Sequence, residues 1–168
     1  MYNIHLLPAT FGDSILIEYG ARATPHYILI DGGPYYAFDE VFKAIQGIAP
    51  AMKTLELLVV THIDIDHIDG TVKMLNQSNL PFEIREVWYN GRDQLMEAAG
   101  SDIMGSLQGE YLTNLITERS LPHNQCFDGK PLCIHDYNEL PVISLPGGME
   151  ITLLSPGRQA LADLIPVW

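Results

Sequence analysis

The chain has 168 residues, nearly half of them apolar (47%), and a formal net charge of −12. That length and composition allow one domain with a substantial buried core, while the charge works against non-specific binding to a phosphate backbone through this chain. No apolar run approaches the roughly 20 residues that span a bilayer and no charged-then-apolar leader opens the sequence, so the expectation is a cytoplasmic protein without a membrane partner.

In chain order, Tyr2 to Leu7 predicts a first strand with Ile4 and Leu6 on one face, and His5 between apolar neighbours reads as a strand histidine. Phe11-Gly12-Asp13 makes a turn, in which the Asp13 carboxylate accepts backbone N–H bonds. Ser14 to Tyr19 predicts a second strand. His26 to Ile30 predicts a third, apolar enough to be central. Asp31 ends it, and Gly32-Gly33 permits backbone conformations closed to other residues. Phe38, Val41, Phe42, Ile45 and Ile48 recur at helical spacing, which predicts a sheet-covering helix from Ala37 to about Ile48 that Pro50 stops. Tyr35 and Tyr36 read as aromatic packing on the sheet.

Leu55 to Thr61 predicts a fourth strand, Thr71 to Gln77 a short helix capped by Asp69, and Ile84 to Tyr89 a fifth strand ending at Asn90-Gly91. Arg92 to Gly105, with Met96 and Met104, has only a weak pattern. Ser106 to Ser120 predicts a helix with Ser106 as N-cap, and Leu132 to Ile134 a strand followed by His135. Val142 to Leu145 and Met149 to Leu154 flank Pro146-Gly147-Gly148 as a hairpin, and Gln159 to Ile165 starts a last helix that Pro166 cuts short. Cys126 and Cys133 lack C-x-x-C spacing; free thiols in a reducing compartment are expected, and a disulfide between them stays open.

One stretch carries chemistry. Directly after the apolar run Leu57 to Val60, Thr61 leads into His62, Asp64, Asp66 and His67, four side chains able to bind a metal in one short turn. Imidazole suits zinc, iron and manganese, and carboxylates shift preference toward harder ions. His62 and Asp64 can turn toward one ion and Asp66 and His67 toward a second. Two such ions polarise a substrate oxygen and lower the pKa of water to about 7, so the expected reaction is hydrolysis. An edge strand with a wet face would set two carboxylates side by side, which repels. A calcium hand fails because Ile68 and Leu75 stand where oxygen ligands belong. A cap by Asp69 is compatible with the metal reading.

The stretch resembles the metallo-β-lactamase superfamily signature H-x-H-x-D-H, with Asp64 in place of the second His. Leu7-Pro8-Ala9-Thr10-Phe11-Gly12-Asp13, Ser14 to Tyr19 and Tyr27-Ile28-Leu29-Ile30-Asp31-Gly32-Gly33-Pro34 resemble the superfamily's opening strands, particularly in the branch related to the nuclease-like domain of competence (ComEC-like) proteins. Leu121-Pro122 with Asn124, Phe127 and Gly129, and Leu153-Leu154-Ser155-Pro156, look like that branch too. The resemblance implies the N-terminal part of an αββα sandwich, a mixed sheet with covering helices, and two divalent ions, zinc with manganese or iron as alternatives.

It further implies that Asp66 contacts the nucleophilic water and moves its proton, that Asp31 orients the ligand histidines, and that Asp13 borders the cleft. The segment from Arg92 to Gly105 would be a lid. His123 stands near the position of a further metal-binding His, in a segment where the branch does not require one. The family's later ligands have no counterpart before Trp168, so residues 1–168 are expected to be an incomplete domain, its sheet face covered by a missing C-terminal half or by another copy of the chain as a homodimer. The resemblance makes phosphodiesters the preferred substrates and leaves a lactam or a thioester open, with nucleic acid entering only as a substrate. The alternative is a non-catalytic partner module of the same fold with an incomplete metal site.

Overall fold

The structure, a computed structural model, describes residues 1–99, 107–134 and 139–165. Met104, Ser106, His135 and Pro166 lie outside the described residues. The chain begins with three antiparallel strands: β1 (Tyr2–Leu6), β2 (Ile15–Ala21) and β3 (Thr24–Ile30), in register from Leu6↔Ile15 and Ile15↔Ile30. Helix α1 (Phe38–Ile48) crosses over before the short strands β4 (Thr54–Leu55) and β5 (Leu57–Val59). Helix α2 (Ile65–Leu75) then leads to β6 (Glu83–Ile84) and β7 (Val87–Trp88). The main sheet has the order β1-β2-β3-β5-β7, antiparallel on one side and parallel on the other, so the fold is α/β with a mixed sheet and covering helices.

Alternation along the strands gives the sheet two dry faces. Leu16, Leu29, Leu58 and Val87 point to one face, where Phe38, Val41 and Ile45 of α1 and Ile68 and Leu75 of α2 close the larger core. Helix α4 (Leu107–Glu118) adds Leu112, Leu115 and Ile116 to it. On the other face Ile28, Leu57 and Trp88 pack under a hairpin of β8 (Val142–Leu145) and β9 (Met149–Thr152), through Ile143, Leu145, Met149 and Ile151. That hairpin does not reach β1, where Ile4 and Leu6 remain 57% and 81% exposed.

Several expectations need correction. The fourth strand breaks at Glu56: β4 pairs with β6, while β5 pairs with β3 and β7, so the chain changes partners at that residue. The fifth strand breaks between β6 and β7 for the same reason. Glu56 is 4% exposed because His26 Nδ1 lies 2.7 Å from one of its carboxylate oxygens and Arg85 Nε 3.0 Å from the other. Leu132 to Ile134 is no strand. The N–H and C=O of Leu132 are taken by the Asn90 side chain at 2.8 and 2.9 Å, and only Ile134 bridges, to Gly157.

The weak segment after Gly91 contains helix α3 (Arg92–Ala99), whose Leu95 and Ala98 pack with Cys133 and with Leu161 of α5 (Arg158–Leu164). The helix expected at Thr71 starts six residues earlier, at Ile65, because Ile65, Ile68, Val72 and Leu75 already keep helical spacing. Asp69 therefore lies inside α2, where it accepts a bond from Gln108 Nε2 at 2.9 Å, and caps nothing.

Candidate metal centre

The start of α2 rearranges the local reading of the motif. His62 and Asp64 lie on the segment between β5 and the helix, while Asp66 and His67 occupy its first turn. The Asp64 carbonyl accepts the N–H groups of His67 and Ile68 at 2.9 and 3.0 Å, and Asp66 stands where the helix dipole favours a negative charge. The helix is locked against the Asp31 turn by backbone crossing: Gly32 N–H donates to His67 O at 3.0 Å and Gly70 N–H to Gly33 O at 2.7 Å. A Cβ at Gly70 would overlap the Gly32 carbonyl, so this crossing requires glycine.

Asp31 is the best-held residue of the site. It is 2% exposed and has a φ of 57°, a left-handed conformation that Asp tolerates better than most residues. Its carboxylate accepts Thr61 N–H at 2.8 Å, Thr61 Oγ1–H at 2.6 Å and His67 Nδ1–H at 3.0 Å. Three donors offset the burial of the carboxylate. With its Nδ1–H committed to Asp31, His67 leaves its other ring nitrogen, Nε2, to the rest of the site. That nitrogen faces one carboxylate oxygen of Asp13 and one of Asp66, each at 3.8 Å.

His62 stacks beside His67, ring centroids 3.9 Å apart. Its Nδ1 accepts Asp64 N–H at 3.3 Å and lies 3.7 Å from an Asp64 carboxylate oxygen. The site thus gathers two imidazoles and the carboxylates of Asp13, Asp31, Asp64 and Asp66. Among the described residues no lysine or arginine pairs with any of the four; the nearby Lys73 is taken by Asp39 at 3.1 Å. Asp13 is brought in by the tight turn before it, because a Cβ on Gly12 would overlap the Asp66 carbonyl.

These donors fit a divalent ion in type, with nitrogen and carboxylate oxygen together and a histidine oriented by a buried carboxylate. In spacing they are open. Donors about 2.1 Å from one ion stand roughly 3.0–3.5 Å apart, a few tenths less than the 3.7–3.8 Å found. Among the described residues no group of three or more His, Cys, Asp or Glu is arranged to hold a metal ion. Asp13 and Asp64, with side chains 71% and 75% exposed, have room to close the difference.

His123 is placed otherwise. Its Nε2 donates to the Tyr89 carbonyl at 2.7 Å, its ring stacks on Tyr89, and its backbone bridges to Val87, so this His ties the segment after α4 to β7. Sequence reasoning missed Thr61, which supplies two of the three donors on Asp31. The signal was a hydroxyl residue closing an apolar strand one position before His62. Asn124, named in the sequence only as part of the resembling segment, is buried and left-handed, and its side chain accepts Tyr89 N–H at 3.0 Å and donates to Tyr89 O at 2.9 Å.

Among the described residues no helix is long and apolar enough to cross a membrane, and no disulfide joins Cys126 to Cys133. No family model and no curated protein matches the sequence. Among solved structures the chain is similar to a crystal structure from Thermotoga maritima named "putative metallo-beta-lactamase". The identity is 14% and the TM-score 0.35, over 73% of this chain and 54% of that one. The chain therefore spans about half the length of that protein.

Proposed function

We propose that this chain is the N-terminal part of a metal-dependent hydrolase of the metallo-β-lactamase superfamily, in its ComEC-like branch, acting on phosphodiester-type substrates. One observation carries the reading: a buried Asp31 holds His67 by Nδ1 so that Nε2 faces two carboxylates, in a cluster that no Lys or Arg among the described residues neutralises. A divalent cation would answer both the ring nitrogen and the acid.

His62, Asp64, Asp66 and His67 would hold two divalent ions, zinc or else manganese or iron, with Asp13 close enough to His67 to join them. Bound there, such ions would supply Lewis acidity and lower the pKa of water. Asp66 would contact the attacking water and carry its proton. Asp31 and Thr61 keep His67 in its working tautomer throughout.

The exposed face of β1 is the surface that a C-terminal half, or another copy of this chain in a homodimer, would cover. The open spacing of the donors favours one second reading, a partner module that keeps the fold without turnover. Hydrolysis of bis(p-nitrophenyl) phosphate with manganese or zinc, compared between the wild type and Asp66→Asn, separates the two. Activity that falls at least a hundredfold in the variant while manganese stays bound supports the hydrolase. A wild type that binds no metal and turns over nothing supports the module.

A further inference from the structure

Beside the candidate metal centre lies a cavity of about 340 Å³, at the ends of β5 and β7 from which Thr61-His62 and Asn90 continue. Trp88 of β7 and Leu132 line it together with Leu153, from the segment after β9, and Leu161 and Leu164, from α5. Its volume is within the range of small-molecule pockets.

Two of the polar residues around it are turned to other work, and Ser155 also lines it. Thr61 Oγ1 donates to Asp31, and both polar atoms of the Asn90 side chain are spent on the backbone of Leu132. Among the described lining residues there is no Lys, Arg, Asp or Glu. The cavity thus offers a mostly apolar lining, with His62 among its residues. Such a space rejects a phosphate or a nucleotide chain, which would lose its hydration and find no cation. It accepts an uncharged hydrocarbon group.

We infer that this cavity is a substrate subsite for an apolar, uncharged substituent carried next to the bond that is cut. This deepens the hydrolase reading and rests on it. The substrate class becomes small esters of phosphate bearing an alkyl or aryl group, rather than polynucleotides, in keeping with a chain of net charge −12. His62 belongs to both the cavity and the metal cluster, so a group seated in the cavity brings its linking oxygen toward the cluster.

Two measurements on the same protein test the assignment. In the first, n-hexanol is titrated into the protein while the Trp88 indole N–H is followed by NMR, its signal identified with Trp88→Phe; no metal or turnover is needed. A saturable shift is expected in the wild type and its loss in Leu164→Trp, which fills the cavity from a partly exposed position on α5. In the second, kcat/KM is measured with manganese for p-nitrophenyl phosphodiesters whose second ester runs from methyl to hexyl.

Each methylene buried should raise kcat/KM by up to about fourfold until the cavity is full, and Leu164→Trp should flatten the series. An indole that hexanol does not move, together with turnover indifferent to chain length, overturns the subsite and leaves the hydrolase standing. Saturable hexanol binding without turnover of any ester supports the cavity as an apolar-ligand site and sinks the hydrolase reading instead. A cavity filled by another segment of protein would show the first pattern.

Discussion

Replacing Asp31 by Asn changes one atom of the site and reverses a tautomer. Asn tolerates the left-handed φ of 57° at this position, so the backbone need not move. The carboxylate accepts three bonds, and its Oδ2 alone takes both Thr61 Oγ1–H and His67 Nδ1–H. An amide must put its NH2 toward either Thr61 N–H or the Oδ2 position. The first choice sets two buried donors against each other with no escape. In the second, the Thr61 hydroxyl rotates to accept and His67 gives up its Nδ1 proton, moving it to Nε2.

Three charge-assisted bonds become neutral ones, for a loss of about 2–3 kcal/mol in stability that is partly offset by removing a buried charge. The displaced proton then occupies the lone pair facing Asp13 and Asp66, so affinity for manganese or zinc should fall by about 10- to 100-fold. Urea unfolding gives the first quantity, calorimetric metal titration the second, and the 15N shifts of the two His67 ring nitrogens report the tautomer directly. A variant in which Nδ1 stays protonated and affinity stays within twofold of wild type would refute the reasoning.

The glycine crossing makes a paired prediction. Gly70→Ala drives a Cβ into the Gly32 carbonyl and should cost about 2–3 kcal/mol or more, whereas Gly47→Ala in α1 has open space around it and should add about 0.5–1 kcal/mol; equal effects in thermal unfolding would contradict the crossing. Tyr19 is buried and its phenol has no partner among the described residues, so Tyr19→Phe at neutral pH should be neutral or stabilising by up to about 1 kcal/mol.

Burial, and then the Glu56 carboxylate, push that phenol from its ordinary 10 up to about 12. The folded state therefore holds the proton longer than the unfolded one. Stability is whole below pH 10 and declines as pH rises from 10 through 12. Tyr19→Phe should shallow that decline in urea midpoints taken across this range, and an unchanged slope would rule the cause out.

The sheet and its first helix were legible because period-two alternation in β2 and helical spacing in α1 are both long enough to be unambiguous. The partner switch at Glu56 was not. A lone acid in an apolar run reads as an interruption of one strand until His26 and Arg85 are seen to meet it, and they come from 30 and 29 residues away. The start of α2 was hidden by the motif itself. The polar residues of His62 to Asp69 read as a loop, although Ile65 and Ile68 already belonged to the helix. Asp31 was legible by its place at a strand end, while Thr61 looked like the last residue of a strand and nothing more. What a single sequence conceals here is mostly contact across the chain.

The most direct test of the central claim is a crystal of the protein grown with manganese and measured across the manganese absorption edge. The account predicts anomalous density within bonding distance of His67 Nε2, with Asp66 and Asp13 drawn in from their present 3.8 Å and the His67–Asp31 bond intact. Manganese bound only at surface carboxylates elsewhere, with His67 Nε2 protonated and facing the same acids, would contradict it.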